Sequence, residues 1–292
     1  MTGAVSQTKT IHEYFAENPN VDVTETHQAL FGMLVEMREK IEARFPGLAV
    51  QPACADLEFW ASESGDYEGS MQTWTGPGVD HLANSWIGNR KASILDMNLQ
   101  VWLDQSIDVP HLVMVFGTIP EIFYYSDFVP RSDLMVDIDY LQRYYAEEDA
   151  DFLAMRGDTQ YTWSVSHGVY MRAFNSPVAH SYTAPRTQET IGNLRPAVEG
   201  RVDRWLSWVD RASAGDPIPE AARLALMDRD HRIRTWGYAL DPMNAISKRF
   251  LGEQRVEQLL KVRYGHDQIV AARAAAGLST QWPPPVSTDQ LN

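Results

Sequence analysis

The chain has 292 residues, 44% of them hydrophobic and 22% charged. This ordinary globular balance, with no fixed-period repeat, rules out a mainly disordered, collagen-like, coiled-coil or solenoid chain. Thirty-nine acids against 25 bases leave a formal charge of −14, a field that repels phosphates and makes nucleic acid and anionic membranes poor partners. A single cysteine, Cys54, excludes an internal disulfide and a cysteine-rich metal site. The N-terminus shows no apolar signal core and the apolar runs are far too short to span a bilayer, so a soluble, cytoplasmic protein is expected.

Residues 24–45 predict an amphipathic helix with Thr24 as its N-cap. Leu30, Phe31, Leu34, Met37, Ile41 and Phe45 recur at three- and four-residue steps, and Pro46-Gly47 ends it. From residue 50 to 174 the pattern is strand-like, over 55–62, 69–75, 83–88, 93–104, 111–118, 122–128 and 162–174, with Gly, Pro and Asp breaks between most of them. A helix is predicted over 137–156. After Pro185, helical stripes cover 187–213, 218–229 and 241–276, and the tail from residue 281 is polar and proline-rich. With no long linker, the expected architecture is one α+β domain over 1–292. It is a three-layer α/β/α sandwich around a largely antiparallel sheet, strand-rich over 50–175 and helical over 187–276.

The most informative stretch is 93–104, SILDMNLQVWLD. Leu95, Met97, Leu99, Val101 and Leu103 alternate with Asp96, Asn98, Gln100, Trp102 and Asp104, and alternate side chains of a strand point to opposite faces. One face must contact a core. The other is either a solvated sheet face or the floor of a pocket, the second reading favoured by the large aromatic in the polar row. A covered Asp96 would have a raised pKa and serve as a general acid. In 162–174 the same alternation sets His167 among apolar residues, a core position or a ligand contact, and puts Tyr170 and Arg172 opposite, where they would bind a phenol or carboxylate or form a surface pair. Residues 78–92 concentrate Asp80, His81, Asn84, Trp86, Asn89, Arg90 and Lys91, with His81 suited to a base near neutral pH. The candidate catalytic residues are therefore Asp96, His81 and Tyr170. The candidate substrate contacts are Asn98, Trp102, Trp86, Lys91, Arg172 and His167.

Dinucleotide, Walker-A, zinc-protease and nucleophile-elbow motifs are all missing from the sequence, and the eight histidines show no tight ligand spacing. Neither a resident cofactor nor a metal is expected. Acid–base chemistry in an aromatic-lined pocket fits the residues that remain, nine tryptophans and twelve tyrosines among them.

Residues 125–145, YSDFVPRSDLMVDIDYLQRYY, resemble the segment of red chlorophyll catabolite reductases that ends in D-L-x-x-x-x-x-Y-L-x-x-Y-Y. Asp127, Arg131, Asp133, Leu134, Tyr140, Leu141, Tyr144 and Tyr145 carry the likeness. Residues 169–177, VYMRAFNSP, are similar to a second stretch of that family through Arg172, Phe174, Ser176 and Pro177. The two segments stand in the family's order within a span of about a sixth of the chain; 187–276 shows no matching segment. The resemblance implies the fold of ferredoxin-dependent bilin reductases, an antiparallel sheet between two helical layers with an open-chain tetrapyrrole between sheet and helices. It also implies electrons from ferredoxin, protons from carboxylates or histidines, and no cofactor of the enzyme's own.

Two enzymatic readings follow. The −14 charge opposes docking of an acidic electron donor, although 229–234 (RDHRIR) with Lys248-Arg249 offers a local basic patch. On that ground the preferred expectation is a cofactor-independent acid–base lyase, a deformylase or decarboxylase acting on a multi-ring phenolic, lignin-derived type of compound. The alternative is a ferredoxin-dependent reductase of a linear tetrapyrrole. A non-catalytic small-molecule binder is a third reading. The expected partner is a small aromatic molecule, and a homodimer is the default for any oligomer.

Overall fold

The computed structural model describes residues 9–10, 21–92, 94–119, 121–166 and 168–280. The chain begins with β1 (Lys9–Thr10) and the helix α1 (Thr24–Arg44), followed by β2 (Ala49–Val50), a 3-10 turn over Pro52–Leu57 and β3 (Trp60–Ala61). Five long strands come next: β4 (Glu68–Gly76), β5 (Val79–Asn89), β6 (Ile94–Leu103), β7 (His111–Ile119) and β8 (Glu121–Val129). Two short helices, α2 (Ile138–Tyr144) and α3 (Asp149–Gly157), lead to β9 (Thr162–Val165), α4 (Val169–Phe174) and β10 (His180–Ala184). The chain then continues as helices α5 (Gln188–Ser213), α6 (Glu220–Ala239), α7 (Met243–Leu251), α8 (Glu253–Tyr264) and α9 (His266–Ala275).

The strands form one sheet in the order β1-β9-β10-β8-β7-β6-β5-β4-β2, with β3 on β4. Every pairing is antiparallel except β1 with β9. The β4–β8 meander follows from strict alternation joined by short turns. On β6, Leu95, Met97, Leu99, Val101 and Leu103 are buried in the main core with Leu112, Met114 and Phe116 of β7. Leu30, Met33, Leu34, Met37 and Ile41 of α1 and Leu194, Val198, Val202, Trp205 and Trp208 of α5 close that core from above. The polar face of β6 turns to the other side, under α6, α8 and α9. There Ile233 packs on Trp102, Val113 and Val129, and Leu259 packs on Trp60 and Met71. The α/β/α sandwich is therefore present.

Several local expectations change. Thr24 is the first helical residue of α1, and Asp22 Oδ1 takes its N–H at 2.9 Å. The segment 55–62 holds the end of the 3-10 turn and the two-residue β3, and 137–156 is two helices. The 162–174 strand stops at Val165 and gives way to α4, because a strand-like alternation over so few residues is compatible with a helix. The 241–276 helix is three helices, broken at Gly252 and Gly265. Gly265 has φ +68, and a Cβ there would stand 2.9 Å from His81 Nδ1, so both the turn and the close approach require glycine.

The residues that carry the family resemblance form a buried brace. The Arg131 guanidinium, fully buried, holds Asp230 Oδ2 of α6 at 2.5 and 3.0 Å and the Asp104 carbonyl at 3.0 Å, and bonds the Ile107 carbonyl. His111 Nε2 lies 3.1 Å from the other Asp230 oxygen. The Tyr140 hydroxyl accepts from Arg131 N at 3.2 Å, and Tyr145 Oη donates to the Phe128 carbonyl at 2.7 Å. A second Arg–Asp–His set, Arg234 to Asp80 at 2.7 Å with His231 at 3.4 Å, fixes α6 to β5. Together they lock α6 over the polar face.

Candidate functional site

On the polar face the strand registers set side chains in rows. Asn98 aligns with Ser85, Val115 and Tyr125; Gln100 aligns with Ala83, Val113 and Asp127; Asp96 aligns with Ile87, Gly117 and Phe123. Along β6 the polar groups form one directed chain. Tyr238 Oη of α6 donates to Gln100 Oε1, Gln100 Nε2 to Asn98 Oδ1 at 3.3 Å, and Asn98 Nδ2 to Asp96 Oδ2 at 2.7 Å. Arg263 of α8 reaches the same Asp96 oxygen at 3.4 Å. Every donor runs toward Asp96, which thus sits as the terminal acceptor of the row with a cation beside it.

Asp241, between α6 and α7, comes from the helical layer and is near enough for its charge to interact with those of Asp96 and Arg263. Its Oδ1 accepts from Met243 N at 2.9 Å. Burial, reinforced by the Asp96 charge, pushes its pKa up to about 6 against the pull of Met243 N–H and Arg263. A carboxyl held near neutrality beside a second carboxylate is the arrangement of an acid and a base in one site. Among the described residues no group of three or more His, Cys, Asp or Glu converges as a metal site. Two surface clefts, of about 630 and 410 Å³, lie at the far end of β6 around Asp108, Asp216 and Ile218. Arg131 and Tyr140 on the wall of the larger one are already committed to the brace.

Of the residues expected from sequence, Asp96, Asn98 and Trp102 share the polar face, but the others do not gather around Asp96. His81 is opposite Trp102 in register, ~20 Å along the strand from the Asp96 position at ~3.3 Å per residue. Its Nε2 donates to the Arg263 carbonyl at 2.9 Å, its Nδ1 lies 3.1 Å from Gln268 Oε1, and burial holds its pKa down at about 4. It is a packed structural imidazole and not a base beside Asp96. Trp102 is likewise capped by His111 and Ile233. Trp86 is on the opposite face of the sheet, its ring 4.5 Å from that of His27, and cannot touch a ligand on the polar face. Lys91 is exposed in the β5–β6 turn. Tyr170 and Arg172 belong to the helix α4, with Arg172 bonding the Ser166 carbonyl at 2.6 Å, so they are not a strand-face pair. His167 lies outside the described residues. Asp241, Tyr238 and Arg263 were not singled out from sequence; the Asp241-Pro242 pair, a common helix-start signal, was the one local sign.

The profile of the family described as "Red chlorophyll catabolite reductase (RCC reductase)" matches residues 29–262. The chain is 25% identical over 251 residues to "Red chlorophyll catabolite reductase 1, chloroplastic" from Oryza sativa subsp. japonica, covering 80% of this chain and 76% of that protein. It is 27% identical over 156 residues to "Red chlorophyll catabolite reductase" from Hordeum vulgare, covering 49% and 75%. The crystal structure of phytochromobilin synthase from tomato in complex with biliverdin superposes with a TM-score of 0.68 at 18% identity, over 80% of this chain and 82% of that one. The family match runs through α5, α6 and α7 and most of α8, where no resemblance was visible. The family and both plant relatives are named as reductases, which overturns the expectation of a cofactor-independent lyase on a phenolic compound. That expectation set the −14 total above the basic patch at 229–234 and Lys248-Arg249. Residues 218–280 carry ten Lys and Arg against seven Asp and Glu, so the helical layer over the polar face is locally basic in an acidic chain. No helix of the described residues is long and apolar enough to cross a membrane. The chain belongs to the red chlorophyll catabolite reductase family.

Proposed function

We propose that this protein reduces a linear tetrapyrrole bound on the polar face of the sheet, beneath α6, α7 and α8, with electrons from a ferredoxin-type carrier. The observation that carries this reading is that Asp241 of the helical layer lies close enough to Asp96, at the end of the β6 hydrogen-bonded row, for their charges to interact, within a family of reductases. An extended π-system that accepts an electron becomes basic and must be protonated. Asp241, with its pKa near 6, holds a proton at a usable fraction of neutral molecules. Asp96 and Arg263 form the charged counterpart that orients the pyrrole N–H and carboxylate groups of the ligand. Tyr238 and Gln100 hold the row rigid, so that little reorganisation accompanies each transfer.

The test is anaerobic incubation with biliverdin or red chlorophyll catabolite and chemically reduced ferredoxin, followed in the visible spectrum. Loss of the long-wavelength band that depends on reductant supports the reading. Asp241→Asn keeps the shape and removes the titrating proton, and is expected to lower kcat by ~10²–10⁴ with little change in KM.

A further inference from the structure

A two-electron reduction of a double bond consumes two protons, and the reading above supplies one carboxyl, Asp241, as donor. Asp96 accepts from Asn98 and Arg263, a setting for a base. The same face carries a second pair that this reading leaves unused. Tyr125 and Asp127 stand two residues apart on β8, aligned through Val115 and Val113 with Asn98 and Gln100. Two strand spacings of ~4.8 Å place them about 10 Å across the floor from the β6 row.

Their hydrogen-bond accounting is unusual. Tyr125 Oη lies 3.2 Å from Asp127 Oδ2 and 3.1 Å from Asn175 Oδ1. A phenol has one hydrogen, yet here it faces two oxygens. Tyr125 donates to Asp127 while that carboxyl is ionised. A neutral Asp127 would instead donate to Tyr125 Oη and leave the phenol hydrogen for Asn175. The pair thus has two hydrogen-bonded states that differ by one proton. Asp127 itself is fully buried. Ser176 N donates to its Oδ2 at 2.9 Å, and among the described residues its Oδ1 has no hydrogen-bond partner. Burial raises its pKa, opposed by Ser176 and by the charge of Arg201 from α5; Tyr125 faces it on β8, and Tyr145, after α2, is the other titratable group near it. Tyr125 is partly exposed and Asn175 exposed, so the outer end of the pair is open while the inner end is sealed.

We propose that Tyr125 and Asp127 are a second proton relay of the tetrapyrrole site, with Tyr125 as the group that touches the ligand and Asp127 as the reserve behind it. This rests on the reductase reading. The external carrier gives one electron to the ligand π-system. The radical anion takes the Tyr125 Oη proton, the Asp127 proton passes to the tyrosinate oxygen, and a solvent proton entering at the open outer end restores Asp127 through the Tyr125 hydroxyl. The ligand gains one electron and one proton, and no bond to the protein forms.

The test joins infrared spectroscopy of the ligand-free protein with turnover. At pH 7 the parent is expected to show a carboxylic-acid C=O stretch that is absent in Asp127→Asn and displaced in Tyr125→Phe. In anaerobic turnover both variants are expected to lose about 10²-fold in kcat with KM within about threefold, as for a lost general acid. Tyr125→Phe removes only the hydroxyl and carries the test alone if Asp127→Asn does not fold. Absence of the acid band from the parent, or Tyr125→Phe turnover within about threefold of it, would overturn the relay. A parent that reduces no tetrapyrrole would overturn the reductase reading, and the relay's catalytic role with it, whatever the infrared spectra show.

Discussion

Replacing Asp230 by Asn probes the brace that holds α6 over the polar face. In the parent the carboxylate faces Arg131, whose side chain is 0% exposed, and His111, at 1%. The charge of Arg131 holds the Asp230 pKa down at about 2 in spite of its burial. Asn keeps the shape and one acceptor but leaves a buried guanidinium with no counter-charge. Removing one partner of a buried ion pair costs about 3–5 kcal/mol. At roughly 2–4 °C per kcal/mol for a long chain, the thermal midpoint should fall by about 6–20 °C. Urea denaturation at pH 7 followed by far-UV circular dichroism gives the free energy directly. Because the penalty is that of an orphaned charge and not of a lost attraction, the double variant Arg131→Met with Asp230→Leu should recover most of it. A loss below about 1 kcal/mol in Asp230→Asn would refute the reasoning, since the pair would then behave like an exposed one.

Acid stability follows from four imidazoles. Burial holds His27, His81 and His111 at about 4 and His180 at about 2. Between those values and the unfolded one of about 6.5 the unfolded chain binds more protons, so stability falls as pH drops through this window, by up to ~1.4 kcal/mol per pH unit for each histidine. Urea midpoints at pH 7, 6 and 5 check this, and a flat profile would contradict it. Gly265→Ala forces a side chain into φ +68 and against His81 Nδ1; it should destabilise by more than ~1 kcal/mol, and an unchanged midpoint would show that the α8–α9 turn relaxes freely. Leu99→Ala on the fully buried face of β6 should cost about 2–5 kcal/mol by the same denaturation measurement.

The sheet was legible where one face is buried and the other polar. On β6 the apolar residues must all turn to α1 and α5, so period-two alternation locates the strand, its orientation and Asp96, Asn98 and Gln100 together. It was illegible at 162–174, where Trp163, Val165, Val169 and Met171 suit either a strand face or a short helix over so few residues. It also failed for Trp86, because the phase of β5 relative to β6 is fixed by pairing and not by its own composition. Asp241, Tyr238 and Arg263 reach the site from helices far along the chain, and nothing local to them reports that they meet β6. The Asp127–Tyr145 segment was recognisable as a family pattern, yet most of its residues act as structure: Arg131, Tyr140 and Tyr145 weld β8 to α2 and α6. The −14 total says little about docking of an electron donor, because residues 218–280 carry a basic excess and docking responds to the local field.

The most direct measurement is single-turnover absorbance under anaerobic conditions, with the parent and Asp241→Asn each holding biliverdin, before and after reduced ferredoxin is added. The account predicts that both proteins shift the biliverdin spectrum on binding, that only reductant bleaches it in the parent, and that Asp241→Asn bleaches ~10²–10⁴ times more slowly. A parent that binds biliverdin and leaves it unreduced, or an Asp241→Asn variant that keeps pace with it, would contradict the account.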